Sequence, residues 1–260
     1  MKKLINLILF TLIILGVTSC AKDAALKAQV ESGQKHCPMN MGMAGKLTSM
    51  NYDSDTHTVE FVLTLNKEFA EVKDLQASSD LARESMKLSL STGDMKKLTD
   101  MMVEAEAGLQ VTYKNRGSND EFVLTFTPSE LKAIADNPMS DEEKDKLLLA
   151  NQIKSEMRRM PYKIDTGLTV TGIEDSGNAL VYICKVDENE YDIDQMEASV
   201  AELKSNMISM LKDVSMKGQV NLLSGLGKGF EYRYVGDTTG KTVVVTISAE
   251  ELSALAKKKK

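Results

Sequence analysis

The chain has 260 residues with a formal net charge of −6, 42% hydrophobic and 5% aromatic residues, and no tryptophan. A net acidic chain argues against nucleic acid as partner. With 27% charged residues and ample apolar content, the composition is that of a folded globular protein.

The first element is MKKLINLILFTLIILGVTSC. Lys2 and Lys3 form a positive start, and Leu4 to Val17 is an apolar run too short and wrongly flanked for a mature membrane span. The run ends in Val17-Thr18-Ser19-Cys20, with small residues just before the cysteine, and resembles the lipobox of bacterial lipoproteins. The resemblance implies a signal peptide over 1–19, cleavage before Cys20 by signal peptidase II and lipidation of its sulfur. The mature chain is then anchored to a membrane of the cell envelope, the outer membrane of a Gram-negative cell, without spanning it. Its periplasmic or surface face stays open, because Lys22 and Asp23 supply a single acid where surface export uses an acidic cluster. Cleavage removes two of the 32 basic residues and no acidic one, leaving 30 against 38, a net charge of −8.

From there the chain reads as two copies of one unit. Gly108 to Ile134 aligns without a gap on Gly229 to Leu255, so that Tyr113 meets Tyr234, Thr125 meets Thr246 and Leu131 meets Leu252. Apolar residues alternate in both copies, at Phe122, Leu124 and Phe126 and at Val243, Val245 and Ile247, which is the strand period. Thr127 with Glu130 and Ser248 with Glu251 have capping-box spacing and start a short helix after each strand. The front halves align with Pro38 on Pro161, Leu47 on Val170, Ser49 on Gly172 and Met50 on Ile173. Upstream, Leu26 and Val30 meet Leu149 and Ile153 on helices, and Asn137-Pro138 breaks the chain between copies.

Between the paired strands lies a long helical region. In the second copy Met196, Val200, Leu203, Met207, Met210 and Leu211 follow the spacing of one apolar helical face. The first copy has a weaker version through Leu75, Ala82, Met86 and Leu90, then a second helix from Gly93 to Ala107. The expected fold is α+β by tandem duplication. Each copy runs helix-β-β-α(α)-β-β-short helix, with an antiparallel four-stranded sheet packed by helices. The first domain spans 20–137 and the second 138–260, the latter ending in a Lys257 to Lys260 tail read as a solvated terminus.

The stretch QKHCPMNMGM at 34–43 puts His36, Cys37 and Met43 among further methionines, a donor set suited to a soft metal such as Cu(I). In the second copy Met160, Tyr162 and Ile164 replace Cys37, Met39 and Met41. The positions ask for apolar groups rather than sulfur, so a core strand is the favoured reading and no cofactor is expected. A Cys37–Cys184 disulfide is permitted in an oxidising compartment, but no spacing requires it. His57 lies in a DSDTHT turn, where a solvated role is the default. Asp53 with Asp55, and Asp187, Asn189, Asp192 and Asp194, lack calcium-loop spacing and read as solvated acidic loops. Gly225 to Gly229 follows a helix and precedes a strand, the reverse of a phosphate loop, and reads as a helix C-cap.

Cys37-Pro38 before a hairpin running from Leu47-Thr48-Ser49-Met50 to Val59–Leu63, and a later GLxVxY…TxxEL segment at Gly108–Leu131, resemble functionally unassigned duplicated lipoproteins of Bacteroidota. That resemblance implies an architecture and no functional residue, and Met160 departs from it where the cysteine would stand. Two histidines and no GxSxG leave little for a nucleophile–base pair. The expected function is therefore a non-enzymatic envelope lipoprotein that binds a protein or peptide partner, in an accessory or inhibitory role. A copper-binding lipoprotein and an envelope hydrolase are the alternatives.

Overall fold

A computed structural model describes residues 21–42, 45–68 and 70–257. The expected signal peptide over 1–19, Cys20, Met43 and the last three lysines lie outside the described residues. The chain divides into two units, one ending at Ser140 and the other beginning at Asp141.

The first unit opens with helix α1 over residues 21–34. Strands β1 (Met39–Asn40), β2 (Gly45–Asp53) and β3 (Thr58–Leu65) follow. Helices α2 (Val72–Gln76), α3 (Ser79–Leu90) and α4 (Gly93–Glu104) lead to β4 (Gly108–Lys114), β5 (Glu121–Phe126) and α5 (Pro128–Asp136). The second unit repeats this order. It has α6 (Asp141–Met157), β6 (Tyr162–Asp165), β7 (Leu168–Asp175), β8 (Ala179–Val186), α7 (Ile193–Ala198), α8 (Val200–Leu211), a 3₁₀ turn (Val214–Met216), α9 (Lys217–Gly225), β9 (Gly229–Gly236), β10 (Thr242–Ile247) and α10 (Ala249–Lys257). The α+β class, the duplication and the alternation of hairpins with helices are as the sequence implies.

Two features of the sheets differ from expectation. Each sheet has five strands, in the order β1-β2-β3-β4-β5 and its counterpart β10-β9-β8-β7-β6. The leading strand of each copy folds back on itself at glycines with positive φ, +66° at Gly42, +128° at Gly45 and +75° at Gly167, which makes a short extra edge strand. A Cβ on Gly45 would stand 2.1 Å from the Thr64 carbonyl oxygen, so only glycine fits that corner. Each sheet is also mixed rather than antiparallel. β3 pairs with β4 in parallel from Thr58↔Gly108 to Thr64↔Lys114, and β8 with β9 from Ala179↔Gly229 to Val186↔Gly236. The helical crossover between the two hairpins is the connection that parallel neighbours need.

The central helix of the second unit is broken. Ser199 at φ −103° caps α7 and starts α8, and Met210, assigned by periodicity to the apolar face, is 40% exposed. Repeat symmetry extends to an irregularity. β2 slips register against β3 between Leu47 and Ser49, and β7 slips against β8 between Val170 and Gly172. The displaced residue is threonine in both, and its hydroxyl donates to a neighbouring carbonyl, Thr48 to Val62 at 2.9 Å and Thr171 to Ile183 at 3.3 Å.

All the described helices of the first unit pack on one face of its sheet. Leu26 and Val30 from α1, Leu90, Leu98 and Met102 from α3 and α4, and Leu131 and Ile134 from α5 meet Val59, Phe61, Leu109, Val111 and Phe126. The second unit buries Leu149, Met207, Leu211, Leu223 and Leu252 against Val170, Leu180, Phe230, Val245 and Ile247, with a satellite cluster of Val186, Ile193, Met196 and Val243. Strand alternation dictates this one-sidedness, because residues i and i+2 share a face.

Candidate functional site

Of the described residues 34–42, Cys37 and Met39 turn inward. Cys37 and Met39 are half-buried against the first core, and their counterparts Met160 and Tyr162 lie against the second. The Cys37 Sγ–H points at the Gly33 carbonyl oxygen, 3.8 Å away, and burial pushes the thiol pKa up, away from the thiolate a metal would need. His36 is exposed at the end of α1. The third apolar position departs from the core reading in both copies, with Met41 43% and Ile164 47% exposed. Cys37–Pro38 and Met160–Pro161 are both cis. Among the described residues no three histidine, cysteine or acidic groups converge as a metal would require. Among the described residues both cysteines are free thiols, Cys37 in the first unit and Cys184 without solvent exposure in the core of the second.

His57 is not simply solvated. It holds φ +51° in the β2–β3 turn, with Nδ1 3.5 Å from the Tyr52 hydroxyl and 3.7 Å from Asp23 on α1. Tyr52 donates to Asp23 Oδ1 at 3.0 Å, and burial, followed by that carboxylate, pushes the phenol up to about 12. The cluster ties α1 to the first hairpin. The second unit has Asp175 and Asn178 at the matching positions, and Lys228 Nζ reaches the Asp175 carboxylate at 2.7 Å.

The acidic loops are committed to their own turns. Asp53 accepts from the Asp55 amide at 2.9 Å and the Thr56 hydroxyl at 2.8 Å. Asp192 caps α7 by accepting from the amides of Asp194 and Gln195, and Asp187 accepts from Asn189. Asp194 and Glu197 both hold Lys241. The glycine-rich stretch ends α9, with Gly227 at φ +64° and the Lys228 amide donating to the Leu223 carbonyl at 2.9 Å.

The face of each sheet opposite the helices presents a different surface. In the first unit it carries Asn51, Glu60, Val62, Gln110, Val123 and Thr125, with Asn51 Nδ2 donating to Glu60 at 3.0 Å. In the second, Arg233 donates to Glu174 at 3.1 Å and to Glu231 at 2.9 Å, and the Thr246 hydroxyl donates to Glu231 at 3.2 Å. No sequence motif marks these residues. Their shared face follows only once strand order and register are known.

A family described as a domain of unknown function (DUF8479) matches residues 20–124. No curated protein matches the chain. A Pseudomonas aeruginosa crystal structure, described as that of a secreted protein, is similar at a TM-score of 0.37 and 16% identity, over 44% of this chain and 98% of that one. The pilotin EpsS of the Vibrio vulnificus type 2 secretion system is similar at a TM-score of 0.33 and 16% identity, over 43% of this chain and 94% of that one. Among the described residues no helix is long and apolar enough to cross a membrane.

Proposed function

We propose that this chain is a lipid-anchored envelope protein that binds another protein or a peptide, as an accessory or inhibitory subunit rather than an enzyme. The contact surface is the helix-free face of its two sheets. One observation carries the reading: each sheet buries one face under helices and leaves the other dressed in threonine, valine and hydrogen-bonded polar or charged pairs. Such a face is rigid, because its backbone is held by the ladder, and fixed charge pairs give a partner register and specificity. Duplication presents two such faces on one chain, so modest contacts can add through effective concentration. A lipid on Cys20 would hold both at the membrane surface.

The experiment is cross-linked affinity capture from intact envelopes, followed by mass spectrometry, with the Cys20→Ala chain and a Glu174→Lys, Glu231→Lys double variant alongside. The expected result is a stoichiometric protein partner recovered by the parent chain and depleted with the double variant. Cys20→Ala should move from the membrane to the soluble fraction. A partner recovered equally well with the charge-reversed face would refute the assignment of that face. Unchanged membrane fractionation of Cys20→Ala would refute the anchor.

A further inference from the structure

β5 and β10 are the same strand of the two repeats, and each forms an edge of its sheet. Gly236 N donates to Lys241 O at 2.9 Å at the start of the β9–β10 ladder. The alternation from that point pairs Val243, Val245 and Ile247 with β9, and turns the backbone N–H and C=O of Thr242, Val244 and Thr246 outward. By the same register Glu121, Val123 and Thr125 turn outward on β5.

The first repeat closes this edge. Gln76 Nε2 donates to the Glu121 carbonyl at 3.4 Å, and Arg83 donates to the Thr125 carbonyl at 3.0 Å. Glu121 adds a charge on the strand itself, paired with Lys114 at 2.6 Å. Side-chain plugs and edge charges are how sheets avoid pairing with another chain. The second repeat has lost all three. Glu197 stands where Gln76 does and holds Lys241, Lys204 stands where Arg83 does and holds Glu251 at 2.8 Å, and Thr242 replaces Glu121. Among the described residues no side chain bonds the outward backbone of β10. The strand carries no charge and no proline, and Val244 is 44% exposed.

We propose that β10 pairs antiparallel with β10 of a second copy of this chain, about a two-fold axis through Val244. Open backbone alone would accept any extended segment, and the sequence selects the copy. Thr242-Val243-Val244-Val245-Thr246 reads the same in both directions. The axis sets Val244 opposite itself and Thr242 opposite Thr246, giving the β-branched and hydroxyl cross-strand pairs that stabilise antiparallel neighbours, with no like charges opposed. Each outward pair exchanges two backbone bonds, about six across the interface. The contact is isologous, so it closes as a dimer instead of growing into a fibre. It does not depend on the helix-free faces binding another protein. It gains from the lipid on Cys20 proposed above, which would bring copies together on one membrane.

The test uses full-length chains in native envelopes, in a Cys37→Ser background, treated with a short bis-maleimide. Val244→Cys should give homodimer about ten-fold above Val123→Cys, its equally exposed counterpart on the plugged edge. Thr242→Cys and Thr246→Cys should cross-link with each other when co-expressed and weakly when expressed alone. Val244→Pro removes an outward N–H that β9 does not use, so it should abolish dimer cross-linking by cysteines at 242 and 246 while the circular dichroism stays that of the parent. Val244→Cys that cross-links no better than Val123→Cys, or only to a different polypeptide, overturns the proposal. Membrane fractionation of the same samples reads the lipid anchor separately, and a soluble chain that still cross-links at Val244 leaves the pairing intact.

Discussion

The α4–β4 and α9–β9 junctions show how one residue carries the cost of a turn. Both helices end in the same two bonds. The Ala107 amide donates to Met102 at 2.9 Å and Glu106 to Val103 at 3.2 Å, while Lys228 donates to Leu223 at 2.9 Å and Gly227 to Ser224 at 3.2 Å. This closure needs a left-handed residue after the cap. The second repeat supplies Gly227 at φ +64°, and the first uses Glu106 at φ +53°. A side chain in that region is strained, and glycine is not. Glu106→Gly should therefore raise stability by about 0.5–1 kcal/mol, and Gly227→Ala should lower it by about 1 kcal/mol, both read from denaturant midpoints. Destabilisation by Glu106→Gly would mean that its exposed carboxylate makes a contact worth more than the strain. The glycine-rich stretch was legible as a cap because glycine announces a left-handed residue. Its twin was not, because glutamate announces nothing of the kind.

At the level of elements, capping chemistry was the most legible signal. Thr127 Oγ1 accepts from the Glu130 amide at 3.3 Å, and the Glu130 carboxylate accepts from the Thr127 amide at 2.8 Å. Ser248 and Glu251 repeat both bonds. The sequence did not disclose the cation that each box recruits from the crossover helix. Arg83 pairs with Glu130 at 2.5 Å while lying 4.4 Å from the Phe126 ring centre, and Lys204 takes the same place beside Glu251. Thr127→Ala should cost about 0.5–2 kcal/mol through the lost cap, with faster amide exchange at the start of α5 as its local signature. An unchanged exchange rate there would assign the helix start to the Arg83 pair instead. Alternation revealed the hairpins because it reports which residues share a face. It does not report which strands are neighbours, so the parallel β3–β4 and β8–β9 pairs stayed hidden until the crossover between them was seen. The open edge of β10 was hidden for the same reason, since it depends on where Gln76, Arg83 and their replacements fall relative to a strand more than forty positions away in sequence.

Across the whole molecule the two repeats keep one architecture but fill it with different chemistry, and alkali should separate them. The second core has phenols and a thiol where the first has hydrocarbon side chains. Tyr182, Tyr232 and Cys184 stand where Phe61, Val111 and Leu63 do, and Tyr182, Phe230, Tyr232 and Tyr234 form a run of rings with centroids 5.4–5.8 Å apart. Burial pushes Tyr182, Tyr234 and Cys184 each up to about 12, from ordinary values of 10.0 for the phenols and 9.0 for the thiol, and raises Tyr232 as well. In the first unit burial raises Tyr52, to about 12, together with Tyr113 and Cys37. An acid whose folded pKa lies above its unfolded value keeps its proton in the native state and loses it on unfolding. Its stabilisation is therefore complete below the unfolded pKa and declines as pH climbs towards the folded one. For these groups the window runs from about pH 9 to about pH 12, and the second unit holds more of them. Amide protection in β8 and β9 should accordingly fall at lower pH than protection in β3 and β4, and phenolate absorbance should rise together with that loss. Cys184→Val removes the group of the second unit that ionises first on unfolding, so it should move that unit's loss to higher pH without altering the first. Phenolate absorbance that rises near pH 10 while β8 and β9 remain protected would show that these hydroxyls reach water in the folded state. It would also show that the aromatic run is less closed than its burial indicates.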